Sequence, residues 1–338
     1  MEKSHLVAAL FAVFTLVPNL RAALLTIDTV TVGDAGNAAD AGYGAVAYEF
    51  EIGKYEVTIG QYATFLNSVA ATDTYSLYNP SMGTDLNMAG ITQAGISGGF
   101  SYSVIGSGNR PISYVSWFDA ARFANWMNNG ATVGASTETG AYTLNGATTG
   151  IIPKNAGATW WIPSEDEWYK AAYYKGEGGG TNAGYWDYPT QSDSAPGNTI
   201  GEAPNQANYR VNDFYAATQS SSYSSTQNYL TDAGAFSSSA SAYDTYDQGG
   251  NVAEWNDAVI SDSSRGLRGG SWQSRTVDNG LASFYRSASD PSDESSTIGF
   301  RLASDATPIP EPGTWAAMAI FAGGAAYAGW RRRRQLAL

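Results

Sequence analysis

Cysteine is absent from the 338 residues, and the single histidine, His5, sits close to the start. Without a thiol there is no disulfide framework, no thiolate metal site, no redox pair and no thiol nucleophile. With His5 inside an N-terminal apolar segment, the rest of the chain has no imidazole base, no Ser-His-Asp triad and no histidine metal site. Positive charge is scarce as well. There are 18 basic residues against 31 acidic ones, a net charge of −13. The balance is more negative still once Lys3, Arg21 and the terminal arginines Arg331, Arg332, Arg333 and Arg334 are set aside. Such a surface repels nucleic acid and anionic lipid, and no basic aromatic patch offsets it, so nucleic acid is excluded as a partner. The missing disulfides do not exclude export, because a domain of this size buries enough surface without them.

Glycine and aromatic residues are abundant. With Gly 38, Tyr 22 and Trp 10, the composition describes one large, loop-rich domain pinned by rings, with processing segments at both ends. Residues 1–22 read as a secretory signal. Lys3 supplies the positive start, Leu6 to Val17 the apolar stretch, and Ala22 a small residue at the cut. An uncleaved anchor is the other reading, for which the apolar run is short.

Periodicity places the elements in the middle. Leu24 to Val32 and Val46 to Val57 read as strands. Thr58 and Gln61 form a capping box ahead of a helix whose buried stripe is Tyr62, Phe65, Leu66 and Val69. Residues 71–109 are polar and Gly-rich with little period. Ser116 caps a second helix, which Asp119 favours by its charge and which buries Ala120, Phe123, Ala124 and Met127. Residues 132–157 read as an inserted hairpin or loop. Trp160 to Pro163 reads as a buried strand, and Ser164 with Glu167 as the cap of a third helix. Residues 175–242 read as long surface loops. Leu267, Trp272 and Phe300 are expected in the core. Arg286 and Arg301 are expected to pair with the acidic stretch Asp290 to Glu294.

The centre of the chain is the run Asp247 to Ser274. Its two Gly-Gly pairs, Gly249-Gly250 and Gly269-Gly270, each mark a tight turn leading to a tryptophan. Between them Asn251 and Glu254 offer side-chain oxygens at a spacing of three. Two readings stand: Asn251 caps a turn while Glu254 is solvated, or both serve a hard cation such as calcium.

Gly249-Gly250-Asn251-Val252-Ala253-Glu254-Trp255, then Arg268-Gly269-Gly270-Ser271-Trp272, then Ile298-Gly299-Phe300-Arg301, resembles the formylglycine-generating enzymes, or sulfatase-modifying factors. The resemblance covers residues 45–304 and includes the segments 53–58, 115–120 and 163–168. It implies an irregular α+β domain of the C-type-lectin-like kind over residues 24–304. It also implies two calcium sites, one at Asn208 with Asp232, the other at Gly249, Asn251 and Glu254. The family's oxidases hold copper with two cysteines. Carried over, the first falls at Ser274 and the second at Asp278 or Asn279. Neither a hydroxyl nor a carboxamide replaces the soft thiolates that select monovalent copper, so no copper is expected. A ligand pocket lined by Trp272, Ser274, Asn279 and Tyr285 is expected in place of the active site.

The tail carries a second resemblance. Pro310-Glu311-Pro312, an apolar run over 313–330 and the four closing arginines resemble a PEP-CTERM sorting signal spanning 308–338. It implies passage through the secretion machinery of a Gram-negative bacterium and a transient membrane anchor with its basic end cytoplasmic. Cleavage by an exosortase and release to the surface or matrix would follow; a permanent tail anchor is the other reading. The expected function is therefore non-catalytic binding of a glycan or protein at the cell surface or in the matrix. The alternatives are an enzyme using carboxylates or a metal, and a purely structural matrix component.

Overall fold

Three helices start where their capping boxes place them. In the computed structural model, which describes residues 25–176, 183–276 and 279–306, Thr58 accepts from the backbone N–H of Gln61, whose side chain accepts from Thr58 in return. Ser116 with Asp119 and Ser164 with Glu167 repeat this exchange. A cap of this kind contributes about 1 kcal/mol and fixes the first turn. Ala22, Asp278, Pro310, Glu311, Pro312, the apolar run 313–330 and the terminal arginines lie outside the described residues. Among the described residues no helix is long and apolar enough to cross a membrane.

The described residues belong to one compact unit, Ala23–Pro308. In chain order its elements are β1 (Thr29–Val32), β2 (Phe50–Gly53), α1 (Ile59–Val69), α2 (Ser81–Thr84), β3 (Ile91–Ala94), β4 (Ser101–Val104) and α3 (Trp117–Asn128). There follow β5 (Trp160–Trp161), α4 (Glu165–Tyr173), β6 (Arg210–Val211), β7 (Phe214–Tyr215), β8 (Ala253–Ser261), β9 (Ser264–Arg268), β10 (Ser287–Ser289), β11 (Ile298–Gly299) and β12 (Ala303–Asp305). One sheet runs β1-β2-β12-β5, so the first and last strands of the domain share an edge-to-edge partner, β2. The second runs β10-β9-β8-β11, with β11 parallel to β8 and the other pairs antiparallel.

The helices bury one aromatic core between them. Tyr62 and Phe65 of α1 meet Phe123 and Trp126 of α3, and Phe123 meets Phe300 edge-on at 5.5 Å. Such ring pairs add about 0.5–1.5 kcal/mol each beyond their area. Leu267, Trp272 and Phe300 are buried as expected. The segment 71–109, read as featureless, contains α2 and the hairpin β3–β4. That hairpin turns through Gly95, whose φ of +94° suits a residue without a side chain. The segment 132–157 is loop, closed by a single bridge between Tyr142 and Lys154.

The two Gly-Gly turns are stitched to each other. Gly250 donates its N–H to the Gly269 carbonyl at 2.9 Å, and Trp272 donates to Asn251 at 2.9 Å. Gly250 sits at φ +88° with the Asn208 carbonyl 2.3 Å from where a Cβ would stand. No side chain fits there, and the close approach sets the geometry of everything around the site.

Candidate ligand site

Glu254 is neither solvated nor open to a cation. It is 1% exposed, and its carboxylate accepts from Arg301 Nε at 2.6 Å and Nη2 at 2.7 Å, and from the Trp168 indole at 2.8 Å. Arg301, also fully buried, donates onward to the carbonyls of Gly53 and Tyr246. It thereby ties β2, the loop before Gly249 and β8 together. Charge-assisted, two-pronged bonding is what makes such a pair tolerable out of water.

Asn208, expected at the first calcium site, meets Asn251 of the second. Asn208 Nδ2 donates to Asn251 Oδ1 at 2.9 Å and to the Tyr229 carbonyl at 2.9 Å. Asn251 Oδ1 also accepts from the Thr231 N–H at 3.1 Å. Asp232 lies half exposed, 4.0 Å from Arg110. Gly249 packs beside Pro189 and Leu281. The side-chain oxygens of Asn251 and Glu254 are thus occupied by protein donors and do not form the open oxygen shell that calcium takes. Among the described residues no group of three or more acidic, His or Cys side chains is placed to hold a metal ion.

The expected salt bridges to Asp290–Glu294 are replaced by others. Arg301 takes Glu254, and Arg286 takes Glu165 through Nη2 at 2.6 Å. Glu165, in the first turn of α4, is shared with Arg268, and Arg268 Nη1 donates to the carbonyls of Ser283 and Tyr285. Glu294 instead accepts from Asn79 at 2.5 Å. Arginines whose partners lie 47, 103 and 121 positions away could not be paired by sequence proximity.

The four residues expected to line a pocket differ in burial and in contacts. Trp272 is 2% exposed, and its ring stacks on Tyr229 at 4.8 Å and 2°. Ser274 is half-buried; its hydroxyl accepts from the Ser271 N–H at 3.0 Å, and its carbonyl accepts from Arg210 at 2.8 Å. Asn279 is exposed at φ +51°. Tyr285 is 39% exposed, with its carbonyl held by Arg268. A narrow crevice with room for little more than a water lies at Pro189, Gln206, Phe236, Thr245, Asp247 and Gln248, among others. Asp247 is its only acidic lining residue, and burial pushes its carboxyl up to about 6.

Sequence reasoning missed the aromatic ladder around Trp272. Tyr229 lies between Trp272 and Tyr223, stacked on Tyr223 at 5.9 Å and 10°, and Tyr215 packs against the side of both Tyr229 and Trp272. Tyr215, Tyr223 and Tyr229 come from one stretch at irregular spacing and Trp272 from another, so no period announces them. The Tyr- and Ser-rich character of residues 215–229 was the available signal.

Comparison with known proteins identifies a family domain and a sorting motif. Residues 29–306 match the sulfatase-modifying factor enzyme 1-like domain. Residues 308–334 match the PEP-CTERM protein-sorting motif, which marks a chain for processing by an exosortase during export to the Gram-negative cell surface. Among solved structures, CarF is similar over 83% of this chain and 98% of its own, at 24% identity and a TM-score of 0.51, a likeness of fold. Variable protein 1 of Treponema denticola matches over 82% of this chain and 94% of its own, at 20% identity and a TM-score of 0.46. PvdO of Pseudomonas aeruginosa matches over 83% and 91%, at 18% identity and 0.43. No curated protein matches the chain. With the family domain matched over residues 29–306 and the fold of the C-type-lectin-like kind, the chain belongs to the sulfatase-modifying factor enzyme 1-like family.

Proposed function

We infer that this exported protein recognises a ligand at the cell surface or in the extracellular matrix without transforming it. The observation that carries this reading is the state of Ser274. It stands where the family resemblance puts the first catalytic cysteine, and its hydroxyl closes a turn onto Ser271. A Cβ on Gly270 would stand 2.8 Å from that oxygen and one on Gly280 3.0 Å from it. The side chain is a packing element wedged between two glycines. No imidazole is available to activate it, and a hydroxyl without a base is a poor nucleophile.

Around it the structure spends its polar groups on rigidity. Arg210, Arg268 and Arg286 are engaged with carboxylates or carbonyls. Loops held this firmly bind with little ordering cost, which favours recognition. Incubating the protein with a cysteine-containing peptide, oxygen and copper is expected to give no aldehyde by mass spectrometry. Ser274→Ala is expected to shift the thermal midpoint by only a few degrees, corresponding to roughly 1 kcal/mol for one lost hydrogen bond, and to leave ligand capture intact. Aldehyde formation that Ser274→Ala abolishes would refute the non-catalytic reading.

A further inference from the structure

We propose that the Tyr223–Tyr229–Trp272 ladder is a stacking platform for a neutral sugar ring. The inference deepens the recognition reading and rests on it. Tyr223 is 58% exposed, whereas Tyr229 and Trp272 behind it are almost wholly buried. The three rings are close to parallel, at 10° and then 2°. Tyr223 thus packs on Tyr229, with Tyr215 tilted beside it at 6.5 Å, and keeps more than half of its surface in solvent.

The ring is held in place before any ligand arrives. Its hydroxyl donates to Asn87 Oδ1 at 2.5 Å, while Asn87 Nδ2 donates to the carbonyls of Ser224 and Gln227 at 2.8 Å. Tyr229 accepts from the Ser224 N–H, and its carbonyl accepts from Asn208. With its hydroxyl committed to Asn87, Tyr223 offers a partner its flat face. A flat face suits a ring with an apolar, C–H-rich side, which a pyranose has. Its chain neighbours Ser221, Ser222, Ser224 and Thr226 are exposed polar residues, of the kind that meets sugar hydroxyl groups.

Charge selects the class of sugar. Arg210 and Arg275 both pair with Asp213, and Arg210 also lies over Tyr215 at 4.7 Å. The arginine that packs on this ring cluster through Tyr215 is therefore engaged, and the protein as a whole carries −13. An acidic polysaccharide gains no partner here and meets a repulsive field. A neutral glycan meets neither obstacle.

The test titrates the purified protein with neutral gluco-oligosaccharides and with alginate oligosaccharides, in parallel with protein extracted from the producer's matrix. Saturable binding of a neutral oligosaccharide is expected. Tyr223→Ala should weaken it about five- to tenfold, the scale of one aromatic stacking contact, and Tyr223→Phe should retain most of it. Tyr223 is exposed, so an unchanged thermal midpoint in both variants shows that folding is not at issue. Neutral-sugar binding that Tyr223→Ala leaves unchanged overturns the platform, as does a preference for alginate. Capture of matrix protein alone overturns the platform and keeps the recognition reading. Binding of nothing overturns both.

Discussion

Glu254→Ala is expected to destabilise the domain by about 3–5 kcal/mol, the cost of leaving a buried charge unpaired. For a domain of this size that lowers the thermal midpoint by roughly 10 °C. The reason is local. Arg301 is 0% exposed at its side chain and meets Glu254, its one ion-pair partner among the described residues, at 2.6 Å. Removing the carboxylate leaves a guanidinium that water cannot reach, and also strips the Trp168 indole of its acceptor. The double change Glu254→Leu with Arg301→Met should recover much of the loss, because it removes both charges rather than one. Differential scanning calorimetry of the single and double variants checks both statements. A single variant as stable as the parent would show that the pair does not hold β2 and β8 together.

Stability is expected to fall as the pH rises from 5 to 8, the reverse of a protein held by exposed carboxylates. Asp119 is buried at the start of α3 near Glu294, and burial followed by that neighbouring charge raises its carboxyl to about 7. Glu56 is 2% exposed with neither oxygen hydrogen-bonded, and burial holds its carboxyl well above the ordinary range. Each of these acids keeps its proton in the folded state to a higher pH than in the unfolded chain. The folded state therefore binds more protons between about pH 4 and pH 7, and stability is fully present below that window and lost through it. For Asp119 alone the loss between pH 5 and pH 8 is on the order of 2 kcal/mol. Thermal midpoints measured across this range should decline, and Asp119→Asn should flatten the decline while keeping an acceptor for Ser116. A midpoint that rises from pH 5 to 8 would contradict the protonated state of these acids.

What the sequence showed and what it hid divide along distance. The three capping boxes, the α1 stripe through Tyr62 and Phe65, and the buried Leu267 and Phe300 follow from neighbours within one or two turns, where period and cap chemistry act directly. The hairpin β3–β4 escaped because its strands are four residues each and mostly exposed, so alternation had little to report. The site escaped for a different reason. Glu254 meets Arg301 across 47 positions and Asn208 meets Asn251 across 43, and only the folded loops show that their polar atoms saturate one another. A cation reading of Asn251 and Glu254 is natural from spacing alone. The guanidinium brought in by the final loop changes the chemistry of that position.

The measurement that bears most directly on the recognition reading is a pull-down with the purified protein, against polysaccharide and protein from the producer's own matrix, with calcium and with chelator. Retention of matrix polysaccharide to the same extent in both conditions is the predicted result, because Arg301 rather than a cation satisfies Glu254. Retention of nothing in either condition would contradict the account.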